Sequence, residues 1–193
     1  QRKGRTSELQ KIVKDESTSN EGNEHKISSI ENRDRLFKEA CEINSPNSDI
    51  AVIKKLDKVI EIDPSYAPAY LKRAQANLYA SHYEDAASDA SLALLKDETL
   101  IEAYGIRGTA YIFLCDIDDI RNGLWDIKVY FEKGGEDPNI YFPSFLGWLA
   151  LNNEEKAIQD LKKGANANIV MCKSILSQFQ SGLPLSTFKC KGK

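Results

Sequence analysis

Ala69-Tyr70-x-x-Arg73-Ala74-x-Ala76 is followed by Ala103-Tyr104-x-x-Arg107-Gly108-x-Ala110, the same pattern moved on by 34 residues. The same shift carries Asp85 onto Asp119 and leads back to Leu36, Ala40, Val52 and Leu56. A fixed period of this length marks a helical repeat array, in which each unit is one helix pair. Neither pair can bury its apolar face alone, so neighbours stack to build a continuous core.

Outward from this centre the apolar residues keep helical spacing. Leu36, Phe37, Ala40 and Ile43 recur at three- and four-residue steps, which places them on one helix face. Asn44-Ser45-Pro46-Asn47 interrupts that helix, and Ser48 or Asp49 suits the start of the next. Val52, Ile53, Leu56, Val59 and Ile60 line this second helix, which stops at Asp63-Pro64. The central repeat predicts helices from about Pro68 to Ala80 and Tyr83 to Lys96, joined at Ser81-His82. A third pair is predicted over Ile101 to Leu114 and Ile117 to Lys133, with Gly134-Gly135 as its C-cap. Beyond it the period lengthens to 37, carrying Tyr104 to Tyr141 and Leu124 to Leu161. Pro138 suits a first helical turn, whereas Pro143 predicts a bend. Asn152-Asn153 then turns the chain into Glu154 to Lys163.

The predicted organisation is a flexible charged linker over 1–29, about four helix pairs over 30–166, a capping helix over 167–182 and a loose tail over 183–193. Ile169, Val170, Ile175, Leu176 and Phe179 form the inward face expected of the capping helix. Leu9, Ile12 and Val13 suggest one short helix within the linker.

Composition removes several function classes. A net charge of −3 and a pI near 5.5 lack the basic surplus of a nucleic-acid binder. Cys41, Cys115, Cys172 and Cys190 are widely spaced, and His25 and His82 are the only histidines, so no metal-ligand spacing occurs. The cysteines read as mostly buried free thiols, which suits a reducing compartment. Asp116, Asp118 and Asp119 lack the spacing of a calcium loop and suit helix capping. There is no Gly-rich phosphate loop and no catalytic arrangement around either histidine, so neither an enzyme nor a cofactor is expected. No run approaches the ~20 apolar residues of a membrane span. The chain begins with Gln1, and Gln1-Arg2-Lys3-Gly4-Arg5 is a basic cluster of the kind that flanks an anchor, so a tether upstream is compatible with it.

Tyr70 and Tyr104 near the helix starts, Ala74 and Gly108 four residues later, Tyr83 before Ala86, Ala93 and the Asp63-Pro64 exit together resemble the tetratricopeptide repeat. The likeness is strongest over 67–115, fair over 33–66 and weaker over 138–165. It implies an all-α, right-handed superhelical array of antiparallel helix pairs with a concave groove, acting as a protein–protein adaptor. One subset of the family grips chaperone C-terminal carboxylates with Lys, Asn and Arg. The matching positions here are Phe37, Cys41, Lys72, Glu102 and Ile106, none of which keeps the family's residue. Phe37, Leu71, Ile106, Phe142 and Leu146 project towards the groove among Lys72, Gln75 and Thr109, which implies docking of a peptide or helical segment. Some of these residues could equally belong to the core.

A basic start, a charged linker and then repeats is similar to the membrane-tethered import receptors of the mitochondrial outer membrane. That layout implies a monomer on the cytosolic face of an organelle. The competing readings are a structural subunit of a fixed complex and a chaperone-associated cofactor.

Overall fold

The computed structural model describes residues 27–43 and 48–188. Nine α-helices follow one another among the described residues: α1 (27–42), α2 (Asp49–Ile62), α3 (Ala67–Tyr79), α4 (Tyr83–Lys96), α5 (Ile101–Leu114), α6 (Ile117–Glu132), α7 (Tyr141–Ala150), α8 (Glu154–Asn166) and α9 (Val170–Gln180). Helix α1 packs on α2, short turns fold α3–α4, α5–α6 and α7–α8 into pairs, and each pair packs on the next as an all-α solenoid. Helix α1 begins three residues inside the stretch expected to be linker. Leu9, Ile12, Val13 and the rest of 1–26 lie outside the described residues.

The core is built for close approach. Ala40, Val52, Leu56 and Val59 join the first pair to Ala69 and Ala76 of α3. Ala74, Ala90, Ala93 and Ala103 let α3, α4 and α5 pack with little between their backbones. The tightest crossing is α5 on α6, where a Cβ on Gly108 would lie 2.7 Å from the Gly123 carbonyl oxygen. Only glycine fits there, which is why an alanine position in the preceding repeat (Ala74) becomes Gly108.

A polar ladder runs between successive pairs. Arg73 donates to both carboxylate oxygens of Asp89 at 2.9 and 2.7 Å and to Asp57 of the preceding pair at 2.6 Å. Asn77 donates to the same Asp89 at 3.0 Å. One repeat on, Arg107 donates to both oxygens of Asp126 at 2.7 and 2.8 Å and reaches Ser91 at 3.4 Å. Asp89 and Asp126 are buried, so each relies on its arginine to offset its lost hydration. These carboxylates hold both guanidiniums above their ordinary pKa.

The helix ends follow local chemistry. Asp116 caps α6 by accepting from the amides of Asp118 and Asp119, the capping role expected of this acidic turn. At the other end of α6, Gly134 adopts φ +92°, and Gly134 and Gly135 donate to the Phe131 and Tyr130 carbonyls. Ser81, Cys115 and Asn152 occupy the equivalent turn of three pairs, each in the left-handed region at φ 62°, 60° and 58°. No bend is required at Pro143, because it lies in the first turn of α7, where backbone N–H groups have no intrahelical acceptor.

Two expectations about the end of the chain change. Val170 points outward, and Cys172 instead enters the core with Ile175. The tail expected to be loose from 183 is docked at its start, since Leu185–Phe188 forms a 3-10 turn whose Leu185 is buried against α7–α9. The thiols also differ from expectation. Among the described residues only Cys172 is a buried cysteine, whereas Cys41 is exposed and Cys115 sits in a turn. Cys190 lies outside the described residues.

Candidate functional site

The first helices of pairs two to four, α3, α5 and α7, line a groove of about 550 Å³. Its floor comes from Leu78, Ile106, Phe113, Ile140 and Phe142, with Gly105 and Pro143 between them. Gln75, Thr109, Asp137 and Asn139 add polar edges. Ile169 and Met171, at the start of α9, complete the lining.

Several groove residues remain accessible although they are large and apolar. Tyr79 is 66% exposed and Met171 54% exposed. Ile106, Phe113 and Phe142 are half-buried. The polar groups are already engaged. Thr109 Oγ1 donates to the Gly105 carbonyl at 2.8 Å, and Lys72 Nζ donates to Gln75 Oε1 at 3.0 Å. Asp137 accepts from the amide and side chain of Asn139 at 2.9 and 2.7 Å, while its own N–H donates to Tyr130 Oη at 2.7 Å. The groove therefore offers apolar contact beside polar groups that already hold hydrogen-bond partners. Among the described residues, no cluster of His, Cys, Asp and Glu is placed to hold a metal ion.

Of the eight residues projected from the sequence, Gln75, Ile106, Thr109 and Phe142 line this groove, and Lys72 stands at its edge through Gln75. The other three pack elsewhere. Phe37 lies edge-on to Tyr66 with centroids 5.2 Å apart. Leu71 packs on the α3–α5 core, and Leu146 bridges the cores around α6 and α8. Tyr79 and Phe113 were missed, although each follows a projected residue by four: Gln75 leads to Tyr79 and Thr109 to Phe113. Extending the same face by one helical turn finds both.

No protein-family model and no curated protein sequence matches the chain. Solved structures do resemble it in shape. A crystal structure of MamA aligns with TM-score 0.59 at 17% identity, covering 74% of this chain and 81% of that one. MamA residues 41 to the end from Desulfovibrio magneticus RS-1 give 0.59 at 13% identity, with 69% and 74% covered. TTC0263, a thermophilic TPR protein in Thermus thermophilus, gives 0.58 at 14% identity, with 68% and 72% covered. At such identities the likeness concerns the fold, and by its fold the chain is a solenoid of the tetratricopeptide type.

Proposed function

We propose that the protein is an interaction module whose α3–α5–α7 groove docks an apolar peptide or helical segment of another protein. The observation that carries this reading is the run of accessible large apolar side chains, Tyr79, Ile106, Phe113, Phe142 and Met171, gathered in one concavity. A buried apolar anchor contributes about 1.5–3 kcal/mol, while association costs on the order of 4–15 kcal/mol. Three or four anchors therefore give modest rather than tight binding. The lining is apolar, so added salt leaves binding nearly unchanged, unlike a contact made by exposed Lys and Arg.

A displayed random-peptide library tests this directly. Selected peptides are expected to carry apolar anchors at helical or alternating spacing. Tyr79→Asp and Ile106→Asp are expected to weaken their binding at least about tenfold, because a charge enters the apolar floor, while circular dichroism stays unchanged. Peptides that bind both variants as well as the parent would remove the groove from the account.

A narrower reading makes the module a monomeric receptor held at an organelle surface such as the cytosolic face of the mitochondrial outer membrane. It draws on the basic Gln1-Arg2-Lys3-Gly4-Arg5 start, which lies outside the described residues. No helix among the described residues is long and apolar enough to cross a membrane. The rival reading, a subunit of a fixed complex, is favoured by Leu95 and Trp125, which stand 81% and 59% exposed on α4 and α6, away from the groove. Light scattering separates the two, since a receptor domain stays monomeric at high concentration and a subunit with uncovered apolar surface self-associates.

A further inference from the structure

The ladder of arginines stops one rung early. A shift of 71 residues carries Tyr70 to Tyr141, Arg73 to Ser144 and Asp89 to Asp160. The ring and the carboxylate are kept, and the guanidinium between them is replaced by a hydroxyl. Ser144 Oγ donates to Asp160 Oδ2 at 2.6 Å. Lys163 Nζ donates to Asp160 Oδ1 at 3.1 Å from a side chain that is more than half exposed.

Beside Asp160 opens a cavity of about 350 Å³ between α6, α7 and α8, walled by Phe131, Tyr141 and Trp148. Phe131 and Tyr141 stack with centroids 5.0 Å apart. The rings already draw cations: Lys163 Nζ lies 5.5 Å from the Tyr141 centroid, and Lys156 Nζ lies 4.1 Å from that of Trp148. In the two preceding pairs the equivalent tyrosine carries both a lysine, Lys96 at 4.9 Å and Lys133 at 5.7 Å, and a guanidinium at 5.6 Å, whereas Tyr141 has the lysine alone. Lys128 and Glu132 also border the cavity as an exposed pair 3.6 Å apart, whereas Asp160 is the less exposed carboxylate, at 13%, and lies beside the rings.

We infer that this cavity is a docking site for an arginine side chain presented by a protein partner. The incoming guanidinium displaces Lys163 from Asp160 and takes the place beside that carboxylate that Arg73 holds beside Asp89. It then lies against Tyr141, as Arg73 lies against Tyr70. Lysine is a poorer occupant, because a compact, strongly hydrated ammonium can lie over a ring but cannot fork onto both oxygens of a carboxylate as a planar guanidinium does. The site uses Tyr141, Ser144 and Trp148 of α7, whereas the groove uses Phe142 and Pro143, so the two stand or fall separately.

The test is nuclear magnetic resonance titration of the full chain with a Gly/Ser peptide carrying one arginine, beside the same peptide with lysine or citrulline. The arginine peptide is expected to shift resonances of Tyr141, Trp148 and Asp160, and to bind at least about fivefold tighter than either control. Asp160→Asn is expected to weaken it about tenfold, and Lys163→Met to tighten it by removing the competing cation. Ser144→Arg, which supplies the guanidinium from within, is expected to abolish binding and raise the melting temperature. Equal binding of the arginine and citrulline peptides overturns the inference. So does unchanged binding in Asp160→Asn or in Lys163→Met, both of which remain informative should Ser144→Arg fail to fold. Free arginine binding as tightly as the peptide overturns the assignment to a protein partner.

Discussion

Replacing Arg107 by methionine tests the ladder at its most buried rung. The Asp126 side chain is 3% exposed and that of Arg107 is 21% exposed, with two bonds of 2.7 and 2.8 Å between them. Methionine keeps much of the aliphatic stem and removes the charge, so the change isolates the pair rather than the packing. Breaking a buried pair from one side costs about 3–5 kcal/mol, because the remaining carboxylate has lost its water and gained no partner. With a urea dependence of about 1–3 kcal/mol per molar, the unfolding midpoint should fall by about 2 M. Lys38→Ala is the matched control, since Lys38 and Glu42 lie 3.9 Å apart and both are well exposed. It should change stability by less than about 0.5 kcal/mol. Adding Asp126→Asn to Arg107→Met should recover part of the loss by removing the stranded charge. A loss under about 1 kcal/mol for Arg107→Met, no larger than for a surface pair, would refute the claim that this pair is desolvated.

Four further outcomes are expected. Gly108→Ala should destabilise by about 1–3 kcal/mol in urea unfolding, because its Cβ meets backbone rather than a movable side chain. Cys115→Gly should raise stability by about 0.5–1 kcal/mol, since the left-handed backbone at φ 60° costs any residue bearing a Cβ. Burial pushes the Cys172 thiol up to about 11, so at pH 8 a thiol reagent should modify exposed Cys41 promptly and Cys172 only on unfolding. Bonds from Ser65 and then Arg33 hold the Asp63 carboxyl below its ordinary pKa. The unfolded chain therefore takes up that proton first as pH falls, so the stabilisation is complete at neutral pH and is lost from about pH 4 downwards. In Asp63→Asn the acid slope of stability should be shallower by that contribution.

The paired helices could be read from residues because the repeat is written in core positions. Ala74, Ala93 and Gly108 recur where two backbones touch, and a periodic core constrains a sequence more than a solvated face does. The groove was only half legible. Helical spacing places Leu71 and Gln75 on one stripe, but it does not say which edge of the stripe faces the next repeat and which faces the concavity. Leu71 and Leu146 went to the first and Gln75 to the second, while Ile106 touches both. The orientation of α9 was hidden for a similar reason. Val170 is more apolar than Cys172, yet Cys172 is the residue that reaches Gly164, where a Cβ would lie 2.5 Å from its Sγ. Shape complementarity at that crossing outweighed hydropathy.

Helix α9 also gives the stack a direction. It turns Ile175 and Cys172 inward and leaves Lys173, Ser174, Ser177, Gln178 and Gln180 in solvent, with Val170 and Met171 exposed only at its first turn. Head-to-tail growth of identical copies needs an unsealed surface at both ends of each subunit. The exposed polar stretch of α9 offers little apolar area for a further copy to bury, which disfavours end-on addition across that stretch.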